Sequence, residues 1–492
     1  MTTLLSRFST RWPSNVSAVL RSRHLPHAAA LAGLAALVLL VYLPAVGFGF
    51  VNWDDPWYVQ NNPLIKSWHP AGLWRIVSEF SCRNYAPLTT FSLLIDHTLW
   101  GDWAGGYHLT NIALHLTNAV LVYLLLARLT SNRFVAWAAA ALFAVHPVHI
   151  ESVAWISSRK GLLSAAFILA SLLAWLRPVR THRHEAAAIG FLVLALLAKA
   201  IAVVLPAVML AWDRIVRREP LAQALPRQIV PGLLSAMILF VTMSAQTSMV
   251  GGVREHLSWS MLDIVAVDLV ILWRYVGMLV WPAGLNVLYD VPAPTWGAAV
   301  AAAAGWAVVT WHVWRRRRTS PLVAFAALGA LVFLLPVLNL TPLTTLMNDR
   351  YLYLPSVALF ALAAAGLDRL AQGVFRAAAA RTDLQSLRPA IGMARVLVAA
   401  TLVIGYAAAA RVHLPVWQDG LTLWRHAARN APDLAVPRIE LAHALHAAGK
   451  TAEAVAVLEN ARLQSRLDHI DRQRIEARLG EWTSAALLSP AH

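Results

Sequence analysis

The chain has 492 residues, 59% of them hydrophobic and only 13% charged, with a mean hydropathy of +0.57. That balance excludes an ordinary soluble domain and describes a polytopic membrane protein. The formal charge of +16 sits in short loops between apolar runs, a distribution set by membrane topology and not by a nucleic-acid partner. A single cysteine, Cys82, excludes an intramolecular disulfide and any Cys-based zinc or redox centre.

In chain order, a basic segment (1–27), too long and irregular for the start of a signal peptide, precedes an uncleaved first span at 28–47. Further apolar runs occupy 108–129, 134–149, 162–176, 186–198, 200–213, 229–247, 296–314, 321–338, 351–370 and 393–411. The stretch 262–281 carries Asp263, Asp268 and Arg274 and reads as an amphipathic helix against the bundle. Eleven spans with a cytoplasmic N terminus place Arg128 and Arg133, Arg177 to Arg183, Arg214 to Arg218, Arg315 to Arg318, and Arg369 to Arg388 inside. A twelfth span at 262–281 would push "RRRR" outside. The expected fold is therefore an all-α polytopic membrane helix bundle, 28–411, whose loops 48–107, 148–161, 248–295 and 339–350 share the outer face. The tail, 412–492, lies on the same face. Its "LAHALHAAGKTAEAVAVLENA" has the spacing of one tetratricopeptide-like helix–turn–helix with Gly449 at the turn. One repeat cannot cover its own apolar face, so it must lean on the membrane domain, a partner or a second copy.

Four clusters carry chemistry: "NWDDPWY" (52–58), "NYAPLTT" (84–90), "HPVHIESVAWISSRKG" (146–161) and "NDRYLYLPS" (348–356). A partly desolvated carboxylate with a like-charged neighbour makes a useful base, so Asp54 and Asp55 form a candidate catalytic pair. Two acids can equally hold a divalent cation, or act as a helix N-cap with a solvated charge. Arg159, Lys160 and Arg350 offer fixed positive charge for a phosphate leaving group. Arg350 at a span end also suits simple snorkelling. Lys199, between two short apolar runs, is either a fourth cation or a loop lysine. His146, His149 and Glu151 have the residue types of a metal set, yet interfacial histidines before a helix-starting glutamate give the same pattern, and no metal is assigned to them. With Asn84, Tyr85 and Tyr351 they make a candidate substrate pocket. The 21 tryptophans read mostly as interfacial belt.

Taken in order, "FVNWDDPWYV", "NYAPLTTFSLLIDHTLWG", "GYHLTNIALHLTNAVLVYLLL", "FAVHPVHIESVAWISSRKGLLSA", "RYVGMLVWPAGLNVLYDV" and "DRYLYLPSVA" resemble the bacterial relatives of the transmembrane and tetratricopeptide-repeat (TMTC) proteins. These belong to the GT-C class of integral-membrane glycosyltransferases. The resemblance covers roughly 28–450. It implies a polyprenyl-phosphate sugar donor, Asp54 and Asp55 as the catalytic pair, and Arg350, with Arg159 and Lys160, near the lipid phosphate. It further implies mannose as the sugar, a protein or glycan acceptor in the periplasm, and a bacterial inner-membrane location. Two positions depart from the family pattern. Ala86 stands where an arginine is usual, with Arg83 near enough to substitute, and Gly161 stands where an acid commonly follows the basic pair.

The expectation is a glycosyltransferase in which Asp54 or Asp55 takes the acceptor proton, with no nucleic-acid partner. A lipid-linked-saccharide flippase predicts charges at mid-membrane depth and matched inverted halves, which the chain lacks. A non-catalytic scaffold built on the repeat tail is the third reading.

Overall fold

The computed structural model describes residues 24–80, 84–247, 259–293, 295–340, 345–379 and 388–488. Most of the segment 1–27, together with Cys82 and Arg83, lies outside them. Among the described residues there is no strand; an isolated bridge joins Leu434 and Arg466. The architecture is an all-α membrane bundle. By length and composition seven helices among the described residues can cross a membrane, or eight if a pair bent by 55° at Pro147 counts as one span. The shorter runs account for the difference from eleven. Run 186–198 lies on a 17-residue helix, His182–Ala198. Run 200–213 is broken into Ala200–Val204, Leu205–Ala211 and Trp212–Val216, and Pro321–Val337 also falls short of a span of about 20 residues.

Four helices frame the site and are labelled here: α1, His24–Tyr42; α2, Ala104–Thr130; α3, Arg133–Val145; and α4, Arg159–Trp175. The run "AWAAAALFAV" makes α3 the centre of the bundle. Its alanines, Ala138 to Ala141, are buried on every side, and small side chains let neighbouring backbones approach closely in a membrane. It packs on α1, α2, Pro355–Ala379 and Arg388–His413. Asn132 caps it, its Oδ1 accepting from Phe134 N at 3.0 Å and Val135 N at 3.2 Å. Pro147 ends it and turns the chain through Ile150–Ala154 and Ile156–Ser158 into α4.

The two ends of the bundle differ in charge chemistry. At one end Arg180 grips Asp213 through both terminal nitrogens at 2.9 and 3.1 Å. There Arg218 donates to Arg318 O at 2.7 Å, and Asp368 joins Asn132 to Arg395. The acid loop, the 146–161 turn, Lys199, residues 348–354 and the tail gather at the other end. The helix Met261–Val280 does not connect the two. Trp259 before it and Leu288 to Val291 after it line one cavity, so the chain leaves and returns at the same end. Helix Trp296–Arg316 exposes Val300, Val308, Trp311 and Trp314, and Arg317 stacks 3.4 Å from the Trp314 ring, as suits lipid with an aromatic belt at its boundary.

The tail forms Gly420–Asn430, Ala435–Ala447, Thr451–Gln464 and His469–Leu488. Gly449 takes φ +77° at the turn, a backbone region open to glycine and costly for other residues. The tail leans on the acid loop. Trp424 Nε1 donates to Asn52 Oδ1 at 3.0 Å, and Asn52 Nδ2 donates to Glu440 O at 3.2 Å. Gly49 N donates to Gln418 O at 3.0 Å. A Cβ on Gly420 would lie 1.9 Å from Asn52 Oδ1, so glycine is what permits this close approach.

Sidedness follows from the two ends. A reporter fused after Arg318 should behave as cytoplasmic and one at the C terminus as facing the opposite side. Finding both on one side in a membrane-impermeant labelling assay would make Met261–Val280 a true span.

Candidate active site

The acid loop turns sharply after α1. Asp54 O accepts from Trp57 N at 3.1 Å and Tyr58 N at 3.0 Å, and Pro56 opens the following turn. The two acids part company here. Asp55 is buried. Its Oδ2 accepts from Val51 N at 3.0 Å, and its Oδ1 accepts from Ser157 N at 3.0 Å and Ser157 Oγ at 2.5 Å. Burial pushes its carboxyl up to about 6, against the lowering effect of those hydrogen bonds. It does not cap the turn that follows it, which removes the helix-cap reading. Asp54 remains about a third exposed (34%), with Oδ2 3.5 Å from Lys160 Nζ.

Lys160 is the hub of the cleft. Its Nζ lies 3.2 Å from the Tyr58 hydroxyl and 4.4 Å above the Tyr58 ring. Asn84 Nδ2 donates to the same hydroxyl at 2.9 Å. Opposite, Arg350 forms an ion pair with Glu151, and its backbone N donates to Glu151 Oε2 at 2.9 Å. The Arg350 guanidinium also lies 5.3 Å from the Trp155 and Tyr351 rings. Lys199 follows the helix His182–Ala198, in the break before the next turn. Its Nζ lies within 3.9 Å of where a Cβ on Gly161 would stand. Among the described residues the Lys199 ammonium makes no hydrogen bond or ion pair. Burial, with Lys160 and Arg350 close by, pushes it down to about 7.

Several expected residues lie elsewhere. Arg159 does not face a phosphate. It is fully buried, with NH2 donating to Asp96 Oδ2 at 2.7 Å and to Tyr107 O at 2.9 Å. His146 and His149 are not pocket residues. His146 Nε2 donates to Leu279 O at 3.2 Å, and the His149 ring packs 4.7 Å from Phe143 and 4.9 Å from Tyr353. The Tyr85 hydroxyl donates to Val77 O at 2.9 Å, turning it toward the helix Pro70–Ser78 and out of the cleft. Glu151 enters as the partner of Arg350. Among the described residues, no three His, Cys, Asp or Glu are grouped to hold a metal ion.

Two site residues and one structural partner were missed. Tyr58 lies inside the quoted acid motif and falls on the cleft side of the π-turn. Asp349 accepts from the Tyr289 hydroxyl beside Arg350, and Asp96 holds Arg159. All three lie inside quoted motifs, Tyr58 in 52–58, Asp349 in 348–356 and Asp96 in 84–101, but only the contacts show what each one holds.

Parts of the chain are similar to known proteins. Protein O-mannosyl-transferase F38B6.6 of Caenorhabditis elegans is 37% identical over 152 residues, covering 28% of this chain and 22% of that protein. The human protein O-mannosyl-transferase TMTC1 is 32% identical over 160 residues, 30% of this chain and 18% of its own length. Over these stretches the chain is similar to the TMTC O-mannosyl-transferases. It spans about a fifth of the length of these relatives. No model of a known protein family matches it. A crystal structure of ArnT from Cupriavidus metallidurans bound to undecaprenyl phosphate aligns over 84% of this chain and 81% of that one, at 14% identity and a TM-score of 0.42.

Arg159 and Lys160 should separate cleanly under mutation. Arg159→Met strands Asp96 in the interior, and breaking a buried pair costs about 3–5 kcal/mol; Lys160→Met, at the cleft, should fold nearly as the parent does. Thermal unfolding in detergent measures both. Equal melting points for the two variants would remove the structural role of Arg159.

Proposed function

We propose that the chain is a glycosyltransferase that moves a sugar from a polyprenyl-phosphate donor to a hydroxyl acceptor on the outer, periplasmic face of a bacterial inner membrane. The observation that carries this reading is one cleft with a carboxylate about a third exposed, Asp54, 3.5 Å from Lys160, and a second ammonium, Lys199, that makes no hydrogen bond or ion pair among the described residues. In this reading Asp54 takes the acceptor hydroxyl proton as the acceptor oxygen bonds to the sugar anomeric carbon. The bond from that carbon to the phosphate oxygen breaks, and its electron pair leaves on the phosphate. Lys160, Lys199 and Arg350 offset the charge that develops there. Tyr58 and Asn84 fix the Lys160 ammonium. The similarity to O-mannosyl-transferases favours mannose as the sugar.

A divalent cation fits this donor set poorly. Both Asp55 oxygens are already used by Ser157 and Val51, and the Lys160 ammonium stands where a metal at Asp54 would sit. Charge stabilisation therefore falls to the side-chain cations. Arg350 is a poor probe of it, because Arg350→Ala would leave Glu151 buried and unpaired.

Asp54→Asn should cut sugar transfer by about 100- to 10,000-fold, the usual worth of a general base, with little change in donor binding. Parental turnover in well-inserted Asp54→Asn protein would sink the reading. Lys199 gives a pH test. Below about pH 7 it is charged in the free protein. As pH rises through that value, donor binding must recapture the proton, so the donor KM should climb toward tenfold per unit. Lys199→Met should bind donor weakly throughout and lose that slope. Parallel profiles for the two proteins would remove Lys199 from the donor site.

A further inference from the structure

We infer that Asp268 and Tyr275, on the helix Met261–Val280, are positioning residues that set where Arg350 stands in the cleft. The role of Arg350 rests on the glycosyltransferase reading above; the element that holds it in place is an addition to that reading. The helix takes no part in the proposed chemistry, yet it carries Asp268 within an otherwise apolar stretch, IVAVDLVILW. An acid in such a setting is costly unless it is paired or hydrogen-bonded, so its partners show what it serves.

Those partners lie on the loop that leads to Arg350. Asp268 is buried. Its two oxygens accept from Asn339 N at 3.3 and 3.1 Å, and Oδ1 also accepts from Asn339 Nδ2 at 2.8 Å. Asn339 Nδ2 donates as well to Leu346 O at 3.1 Å. Only an amide nitrogen can serve a carboxylate and a carbonyl together, so Asp268 fixes the Asn339 side chain and, through it, residue 346. Seven residues on, the Tyr275 hydroxyl accepts from Asn348 N at 3.3 Å. Seven residues fall about 20° short of two helical turns, which puts both groups on one face, about 10 Å apart along the axis. The other face carries Trp273, stacked on Trp306 at 4.5 Å and donating to Ala302 O at 3.1 Å.

From Tyr275 to the cleft the path is two hydrogen bonds long. Asn348 Oδ1 accepts from Arg350 NH1 at 3.2 Å, and Asn348 Nδ2 donates to Thr345 Oγ1 at 2.6 Å. Asn348 therefore has three partners and cannot turn without losing one. Asp349 accepts from the Tyr289 hydroxyl, and Arg350 N donates to Glu151 Oε2 at 2.9 Å. Three successive residues are thus gripped from three directions, by Tyr275, Tyr289 and Glu151. The ion pair with Glu151 holds the guanidinium from one side; the Asn348 bond supplies a second. A cation that shifts loses interaction with a phosphate as the distance grows, so loosening this brace should weaken donor use with every cleft residue still present.

The test uses the full chain in lipid nanodiscs, with undecaprenyl-phosphate mannose as donor and release of mannose to water as the reaction. Tyr275→Phe removes only a hydroxyl, Asp268→Leu only a carboxylate, and neither alters Arg350 or Glu151. Each should lower kcat/KM for the donor about threefold to tenfold, the worth of one hydrogen bond. Asp268→Asn keeps an acceptor oxygen and should recover most of that loss. Tyr275→Phe added to Arg350→Lys should cost nothing further, because the tyrosine acts through the arginine. Trp273→Phe loosens the helix on its other face and should lower the melting point with kcat/KM unchanged. Parental kcat/KM in both Tyr275→Phe and Asp268→Leu overturns the proposal. So do additive losses with Arg350→Lys, or an equal loss in Trp273→Phe, which would reduce the helix to packing. Hydrogen exchange of the amides at 345–352 gives a readout independent of turnover, and it should rise about tenfold or more in Tyr275→Phe and Asp268→Leu alone. That rise in a chain whose parent turns over no donor would support the brace and overturn the glycosyltransferase reading. Donor turnover with no rise would do the reverse.

Discussion

The buried carboxylate of Asp55 accepts three hydrogen bonds, one from Val51 in its own loop and two from Ser157, 102 residues further along the chain, so that it joins the loop after the first helix to that residue. A carboxylate without such partners would be costly in a low-dielectric interior. With them it fixes the acid loop to the turn that starts α4, and Lys160 stands three residues beyond Ser157. Fastening one acid thereby sets the other, Asp54, against the Lys160 ammonium. The pair "DD" divides into an anchor and an exposed base candidate, and the division is made by burial, since the two residues are chemically identical.

That fastening needs the 146–161 segment to hold still, and the central helix α3 supplies the support. Its buried alanines bring four helices close around it. Pro147 then releases the chain from helical hydrogen bonding, so that Glu151 can reach Arg350. The rings of His115, His149, Phe143 and Tyr353 pack together beneath this turn. They fill the space that the broken helix would otherwise leave, which is why His146 and His149 serve as packing. The tail secures the loop from the other side through Asn52, with Trp155 and Trp417 stacked at 5.9 Å between the two. The acid loop is thus held between a membrane-buried turn and a helical repeat.

The sequence showed the class of the fold, because hydropathy and charge report the bilayer directly. It also showed which loops carry chemistry, since polar clusters stand out against an apolar background. It could not show which neighbour in a pair faces the site. Arg159 and Lys160 are adjacent, but successive helical residues point about 100° apart, so one meets Asp96 inside the bundle while the other meets Asp54. The spacing of His146, His149 and Glu151 looked like one set, yet Pro147 redirects the chain between them. Tyr289 and Asp349 are 60 residues apart, and no local pattern marks a contact of that kind. Long-range pairing, more than residue type, was the hidden part.

The two departures from the family pattern are best read together. Gly161 removes an acid that the resemblance leads one to expect. A side chain beginning there would start 3.9 Å from Lys199 Nζ, and a carboxylate on it would neutralise that ammonium. Ala86 removes an expected arginine. It is buried at the start of Pro87–Trp100, two residues from Asn84, whose amide holds Tyr58 beside Lys160. Glycine at 161 leaves Lys199 without a carboxylate at that position, next to Lys160 and Arg350. In the proposed reading the stabilisation of a phosphate depends on the total field at its oxygens more than on any one residue.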